Sequence, residues 1–316
     1  MREHVSVMAS EYLEALRPWD GQNLIVDATL GLAGHAVKAL ESCPGARLIG
    51  FDQDPEAREI AARNLSRFEG RYEIEADNFR HIEKLTERDG WSGADTVFFD
   101  LGVSNLQITD AERGFSFQED GPLDMRMDRG DGCNSSLSAK DILAKWSVAE
   151  LTKIFRDYGE ERWAYQIALG IVRDRERGHE LNTTGELVDL IRKILPEPVQ
   201  RKMGGHPARR VFQALRIAVN EETEALSEAL DGAIKVIKPE GKIVVISYHS
   251  LEDRMVKLRF RGWSEEGLGE QRPRKAMTPT NEEIESNRKS RSAKMRIFEA
   301  ESLERRRSNA LLRIPT

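Results

Sequence analysis

The residues best suited to chemistry stand at the ends of short apolar runs. Asp27-Ala28-Thr29-Leu30-Gly31-Leu32-Ala33-Gly34-His35 follows the run 24–28 and opens a helical pattern. Small side chains let a ligand approach the main chain, and a helix N-terminus adds exposed N–H donors. Asp52 lies 21 residues beyond Gly31, near the spacing of about 20 at which an acidic residue meets a ribose hydroxyl in nucleotide-binding βαβ units. The plainer reading is a tight turn and a surface carboxylate, and the absence of a full GxGxxG string argues against a dinucleotide. Asp77-Asn78-Phe79 and Asp100-Leu101-Gly102-Val103-Ser104 follow two further runs. Ligands of open α/β sheets bind beyond the carboxyl ends of strands, so Asp52, Phe79 and Asp100 should converge with the glycine loop on one crevice that suits a nucleoside-containing cofactor. Phe79 by itself fits adenine packing or the core.

The elements that must hold these residues are legible in the same stretch. Apolar, β-branched runs at 24–28, 48–52, 72–76 and 96–101 are separated by helical patterns at 33–42 and 56–68, the rhythm of a parallel sheet with crossover helices. Asp54-Pro55 predicts a helix start, with Asp as N-cap and Pro pre-set for the first turn. After residue 101 the rhythm stops. A loop rich in Gly, Asp and Arg (102–134) leads to helical patterns at 139–158, 161–177 and 184–195, with no buried strand among them. The sheet signature resumes with a helix at 221–237 and a strand at 242–247; beyond Gly262 the composition predicts a mobile loop and a last strand at 294–298.

Composition narrows the classes. The 316 residues carry 48 Lys+Arg and 54 Asp+Glu, a formal charge of −6, with 39% hydrophobic residues. That excludes a uniformly basic nucleic-acid binder and a wholly disordered chain. No apolar run reaches the roughly 18 residues of a membrane helix. Two cysteines, Cys43 and Cys133, without a CxxC spacing, give neither a disulfide framework nor a thiolate site. The N-terminal residues lack the apolar core of a signal peptide, so a cytoplasmic protein is expected. No His or Cys pair has ligand spacing, so no metal is expected. The charge is uneven: residues 254–296 hold twelve basic and six acidic side chains, a local +6 that predicts a phosphate-facing edge.

Other candidates have two readings each. Phe115 and Phe117, with Met125, Met127, Arg113, Arg126 and Arg129, either form a base-stacking, phosphate-holding lid or anchor a long loop. His206 and His249 are structural or catalytic, and Arg209, Arg210 and Arg216 form a solvated helix face or an RNA contact.

Several long strings resemble the bacterial 16S rRNA (cytosine-N4)-methyltransferase family across nearly the whole chain. They are Asp27 to His35, Phe51-Asp52-Gln53-Asp54-Pro55, Asp100 to Ser104, Asp110-Ala111-Glu112-Arg113-Gly114-Phe115-Ser116-Phe117 and Asp120-Gly121-Pro122-Leu123-Asp124-Met125-Arg126-Met127-Asp128. Tyr158-Gly159-Glu160-Glu161-Arg162, the string from His206 to Arg216, and Ser247-Tyr248-His249-Ser250-Leu251-Glu252-Asp253-Arg254 extend it. The sequence departs from the family at Leu32-Ala33, at Asn105-Leu106 in place of Ser-Pro, and at Ser6 in place of proline.

The resemblance implies an α/β fold: a Rossmann-like class I methyltransferase sheet with an inserted helical domain. Residues 1–108 and 211–316 would form the sheet domain, the latter with the basic segment, and 109–210 a substrate-recognition insertion. It implies S-adenosyl-L-methionine as cofactor, contacted by Ala33, Gly34 and His35, by Asp52 at the ribose, by Phe79 near the adenine, and by Asp100 and Gln107 near the methionyl end. The implied partner is 16S rRNA within the small ribosomal subunit, methylated at the exocyclic N4 of a decoding-centre cytidine; a homodimer stays open. Asp100 is the candidate catalytic residue, because a carboxylate facing the cofactor can accept a hydrogen of the amine. Two other classes compete: a nicotinamide oxidoreductase, which should show the full glycine fingerprint, and a non-catalytic RNA-binding or assembly factor.

Overall fold

The computed structural model describes residues 6–16, 23–128 and 137–302, and every structural statement below concerns these. Arg129 and Cys133 lie outside them. Seven strands form one sheet: β1 (Leu24–Asp27), β2 (Arg47–Phe51), β3 (Tyr72–Glu75), β4 (Ala94–Asp100), β5 (Ile237–Ser247), β6 (Gly269–Gln271) and β7 (Lys294–Ala300). Their order is β3-β2-β1-β4-β5-β7-β6. β1 to β5 run parallel; β7 pairs antiparallel with β5, and β6 antiparallel with β7. The order reverses at β1, which has β2 on one side and β4 on the other, so the switch point where such sheets bind ligands lies at the carboxyl ends of β1 and β4. This is a Rossmann-like α/β sheet, as the sequence predicts.

Alternate strand residues feed two cores, as a sheet covered on both faces requires. Val26, Ile49, Val97, Phe99, Ile243 and Val245 pack on one side, with Leu226, Leu230 and Phe260 from helices. Ile25, Leu48, Phe98, Val244 and Ile246 pack on the other, with Tyr12, Leu40 and Leu65. Asp54 caps the helix Pro55–Leu65 by accepting the Glu56 N–H at 3.1 Å, as the dipeptide Asp54-Pro55 predicts.

The chain divides into two compact units, Met1–Gly102 with Glu224–Thr316, and Val103–Thr223. The second has its own core, in which Leu151, Phe155, Ile167, Leu187, Val211 and Leu215 are buried among one another. The helical pattern at 139–158 is two helices, Ala139–Lys145 and Val148–Asp157. The break falls at Ser147, whose side chain and Glu150 form a capping box that starts the second helix.

The mobile loop expected beyond Gly262 is instead ordered structure. The helix Ser250–Glu265 runs past Gly262, and β6 then adds the edge strand to β7. The main chain of β7 supplies the pairing, so side-chain composition gave little sign of it.

Candidate functional site

Four carboxylates stand at or just beyond the ends of the parallel strands, and three of them meet. Asp27 ends β1 and is 1% exposed; its Oδ1 accepts the Thr29 N–H at 3.1 Å. Burial, with the Asp100 and Asp52 charges beside it, pushes its carboxyl up to about 7. Asp52 follows β2, and burial pushes it to about 6 even though it accepts two main-chain N–H groups, from Gly31 and Asp54, each at 2.8 Å. Asp77 is turned elsewhere: its oxygens pair with His81 at 2.7 Å and Lys84 at 3.2 Å.

Asp100, the last residue of β4, is half-buried and held from several sides. Its N–H donates to Thr29 Oγ1 at 2.6 Å. Its Oδ1 accepts the Tyr248 hydroxyl at 2.7 Å, and His35 Nδ1 lies 3.4 Å from Oδ2. The other nitrogen of His35, Nε2, is 2.9 Å from the Val7 carbonyl, and the ring meets Tyr12 and Phe98 edge-on at 5.0 and 4.8 Å. Burial and the Asp100 carboxylate push the Tyr248 phenol far above its usual range, so it stays a neutral donor. Gly102, at φ 104°, lies beside the Tyr248 ring, where a Cβ would sit 3.4 Å from Cδ2.

The loop from Asp27 to Gly34 turns through left-handed conformations at Gly31 (φ 53°) and Ala33 (φ 65°). Gly34 opens the helix Gly34–Ser42, whose first N–H groups have no acceptor within the helix. Ala33 differs from the sequence reading: its N–H donates to Leu30 at 2.8 Å and its methyl is fully buried, so it shapes the turn. Phe79 is half-buried, packed edge-on to Phe99 at 6.1 Å. Gln107 belongs to the second unit, where its Oε1 accepts the Ser104 N–H at 2.9 Å and closes the capping box of the helix Asn105–Thr109.

Three residues given no individual role in the sequence belong to this cluster: Asp27 and Thr29, named there only within the loop string, and Tyr248. Tyr248 follows β5 directly, so the strand-end rule applied to 242–247 would have found it. Most of the remaining candidates are engaged structurally. His249 caps the helix Ser250–Glu265, with Nδ1 facing the Glu252 N–H at 3.4 Å. Phe115 and Phe117 pack against the helical core, and Phe117 stacks on His206 at 4.6 Å and 12°. Partial burial and the Arg192 guanidinium hold His206 below the usual imidazole value. Arg113 and Arg126 face Asp110 and Asp124 at 3.6 and 2.6 Å, and Arg216 forks onto Glu222 with two contacts of 2.8 Å.

Five cations of the basic segment 254–296 are tied to carboxylates within the fold. Arg296 is buried, with Nε 2.8 Å from Asp253, and Lys294 reaches the same carboxylate at 2.9 Å. Arg259 pairs with Asp231, Arg261 with Glu265 at 2.8 Å, and Arg272 with Glu270 at 3.1 Å. Glu265 and Glu270 already belong to the segment's six acidic residues, so Asp253 and Asp231 lower its net charge only from +6 to +4.

The arrangement suits a cationic nucleoside ligand. Each Asp52 oxygen keeps a second lone pair beyond its main-chain N–H, the kind of acceptor a ribose hydroxyl uses. Three crowded carboxylates, two of them pushed upward, are relieved by a positive ligand such as a sulfonium or an ammonium. The profile of the MraW methylase family matches residues 1–301. This chain belongs to that family. Among curated members, ribosomal RNA small subunit methyltransferase H of Symbiobacterium thermophilum is 42% identical over 309 residues, covering 93% of this chain and 95% of that protein. The protein of the same name from Brevibacillus brevis is 42% identical over 312 residues, covering 94% and 97%. The family resemblance read from the sequence is thereby borne out, and this MraW methylase family member is a methyltransferase.

Proposed function

We propose that the chain transfers a methyl group from S-adenosylmethionine to the exocyclic N4 amine of a decoding-centre cytidine in 16S rRNA, with the small ribosomal subunit as substrate. The names of the curated relatives support the RNA class. The observation that carries the chemistry is the Asp100 carboxylate, fixed at the switch point by Tyr248 and Thr29.

Bound, S-adenosylmethionine supplies an electrophilic methyl on a positive sulfur. The chain's own residues supply the rest. Asp52 and the N–H groups opening the helix Gly34–Ser42 hold the nucleoside part, with Phe79 against the base. A cytosine amine is a poor nucleophile because its lone pair is delocalised into the ring. Asp100 accepts one hydrogen of that amine, which orients the nitrogen and stabilises positive charge as it develops there. The proton leaves to Asp100 or to water after transfer. The Tyr248 hydroxyl donates to Oδ1 and His35 Nδ1 lies 3.4 Å from Oδ2, so both oxygens are oriented by the fold before the amine arrives.

The test is Asp100→Asn in methylation of small subunits under saturating cofactor, read as N4-methylcytidine by mass spectrometry. Turnover should fall by at least about 100-fold, the usual scale for one positioned acid–base group. Full turnover would end the assignment of Asp100. Deleting the gene should remove the cytidine mark, and the wild-type chain should restore it; an unchanged mark refutes the substrate.

A further inference from the structure

Five of the twelve cations of the basic segment 254–296 are paired within the fold, and a second basic stretch lies in the other unit. Residues 192–210, in the second unit, carry six basic side chains and one acidic one, Glu197. Arg201 pairs with Glu197 at 2.9 Å. Arg192, Lys193, Lys202 and Arg209 are exposed and enter no ion pair among the described residues. Arg209 folds back along Gly205, its guanidinium 3.8 Å from where a Cβ would stand, and Gly204 and Gly205 leave their main chain open to solvent.

A second observation singles out Arg192. Its guanidinium lies 3.1 Å from His206 Nε2, and the Ala208 N–H points at Nδ1 of the same ring from 3.3 Å. A neutral imidazole offers one lone pair and one N–H, so two donors face one acceptor and a contact is unsatisfied in either tautomer. The ring is stacked on Phe117 at 4.6 Å and 12°. An anionic oxygen taking the Arg192 N–H resolves the conflict.

We infer that residues 192–209 of the second unit form a phosphate-binding surface for the RNA backbone, with Arg192, Lys193, Lys202 and Arg209 as its contacts. The inference rests on the rRNA reading above and assigns where on the chain the RNA is held. It replaces Arg216, committed to Glu222, with cations from the helices Thr184–Ile194 and Glu197–Lys202. Phosphate contacts of this kind position a substrate without reading its sequence.

The experiment compares the full-length wild type with the variant Arg192→Gln, Lys193→Gln, Lys202→Gln, Arg209→Gln for binding to unmethylated small ribosomal subunits between 50 and 200 mM salt, roughly the range over which phosphate contacts are read out. A control carries Arg261→Gln and Arg272→Gln. The quadruple variant should bind at least about 30-fold more weakly at low salt, with a log–log salt slope shallower by about 3, near one unit per lost contact. Its affinity for S-adenosylmethionine, by calorimetry, should stay within about twofold, the span expected when surface changes leave the fold intact. The control should match wild type. Unchanged affinity and slope in the quadruple variant overturns the inference and leaves the rRNA reading standing. Failure of the wild-type chain itself to bind subunits overturns both.

Discussion

Tyr248 donates its hydroxyl hydrogen to Asp100 Oδ1 at 2.7 Å, linking the residue after β5 to the last residue of β4 across 148 positions of sequence. A hydrogen bond to a charged group is worth about 1.5–3 kcal/mol. Tyr248→Phe keeps the ring against Gly102 and removes only that bond. Turnover should fall about 10- to 100-fold, with cofactor affinity changed less than about threefold, if the bond serves mainly the reacting state. A change confined to cofactor affinity would show that the phenol serves binding and not the orientation of Asp100.

Asp27 makes stability depend on pH in an unusual direction. Its carboxyl is raised to about 7 in the fold, against about 4 in an unfolded chain. The native state therefore keeps a proton that the unfolded chain releases, so the stabilisation is full below pH 4 and is lost as pH rises through 7. Three units correspond to about 4 kcal/mol. Asp27→Asn keeps an oxygen for the Thr29 N–H and cannot ionise. Thermal unfolding without ligand should shift upward by roughly 5 °C or more at pH 8 and by about a third of that at pH 5. An equal shift at both pH values would contradict the assignment.

Asp253 anchors β7 to the helix Ser250–Glu265 through Arg296, which is 8% exposed. Asp253→Ala leaves that guanidinium buried with only Gln271 Oε1, at 3.3 Å, as a remaining acceptor. Removing one partner of a buried pair costs about 3–5 kcal/mol, whereas Lys294→Ala, at a half-exposed partner, should cost less than about 1. Urea unfolding of the two variants measures the difference; equal losses would mean that Arg296 is solvated.

The carboxyl-end cluster was legible because its signals are local. A strand, a turn of small residues and a helix start follow one another within about ten residues at 24–34, and Asp52 repeats the pattern one unit later. The N-caps were legible for the same reason: Asp54-Pro55 is two adjacent residues. What escaped was set by partners distant in sequence. Nothing near Arg296 announces that Asp253, 43 positions away, will neutralise it, so the count of +6 over 254–296 overstated the surface charge. β6 is three residues, Gly-Glu-Gln, whose extended form comes from the main chain of β7. Ala33 stood among the expected cofactor contacts, and residue type does not show that its N–H is already taken by Leu30.

The interrupted sheet also sets a timetable for synthesis. β4 ends at Asp100 and its neighbour β5 begins at Ile237, 137 positions later. At about 5–20 residues per second the ribosome needs roughly 7 to 27 seconds to supply that neighbour. Until then β4, with Val97, Phe98 and Phe99 destined for full burial, is an open apolar edge. The second unit, with its own core, emerges in that interval. A nascent chain of this topology therefore depends on protection of a single strand edge, and slowing translation between residues 103 and 236 should lower the yield of native protein by lengthening that exposure.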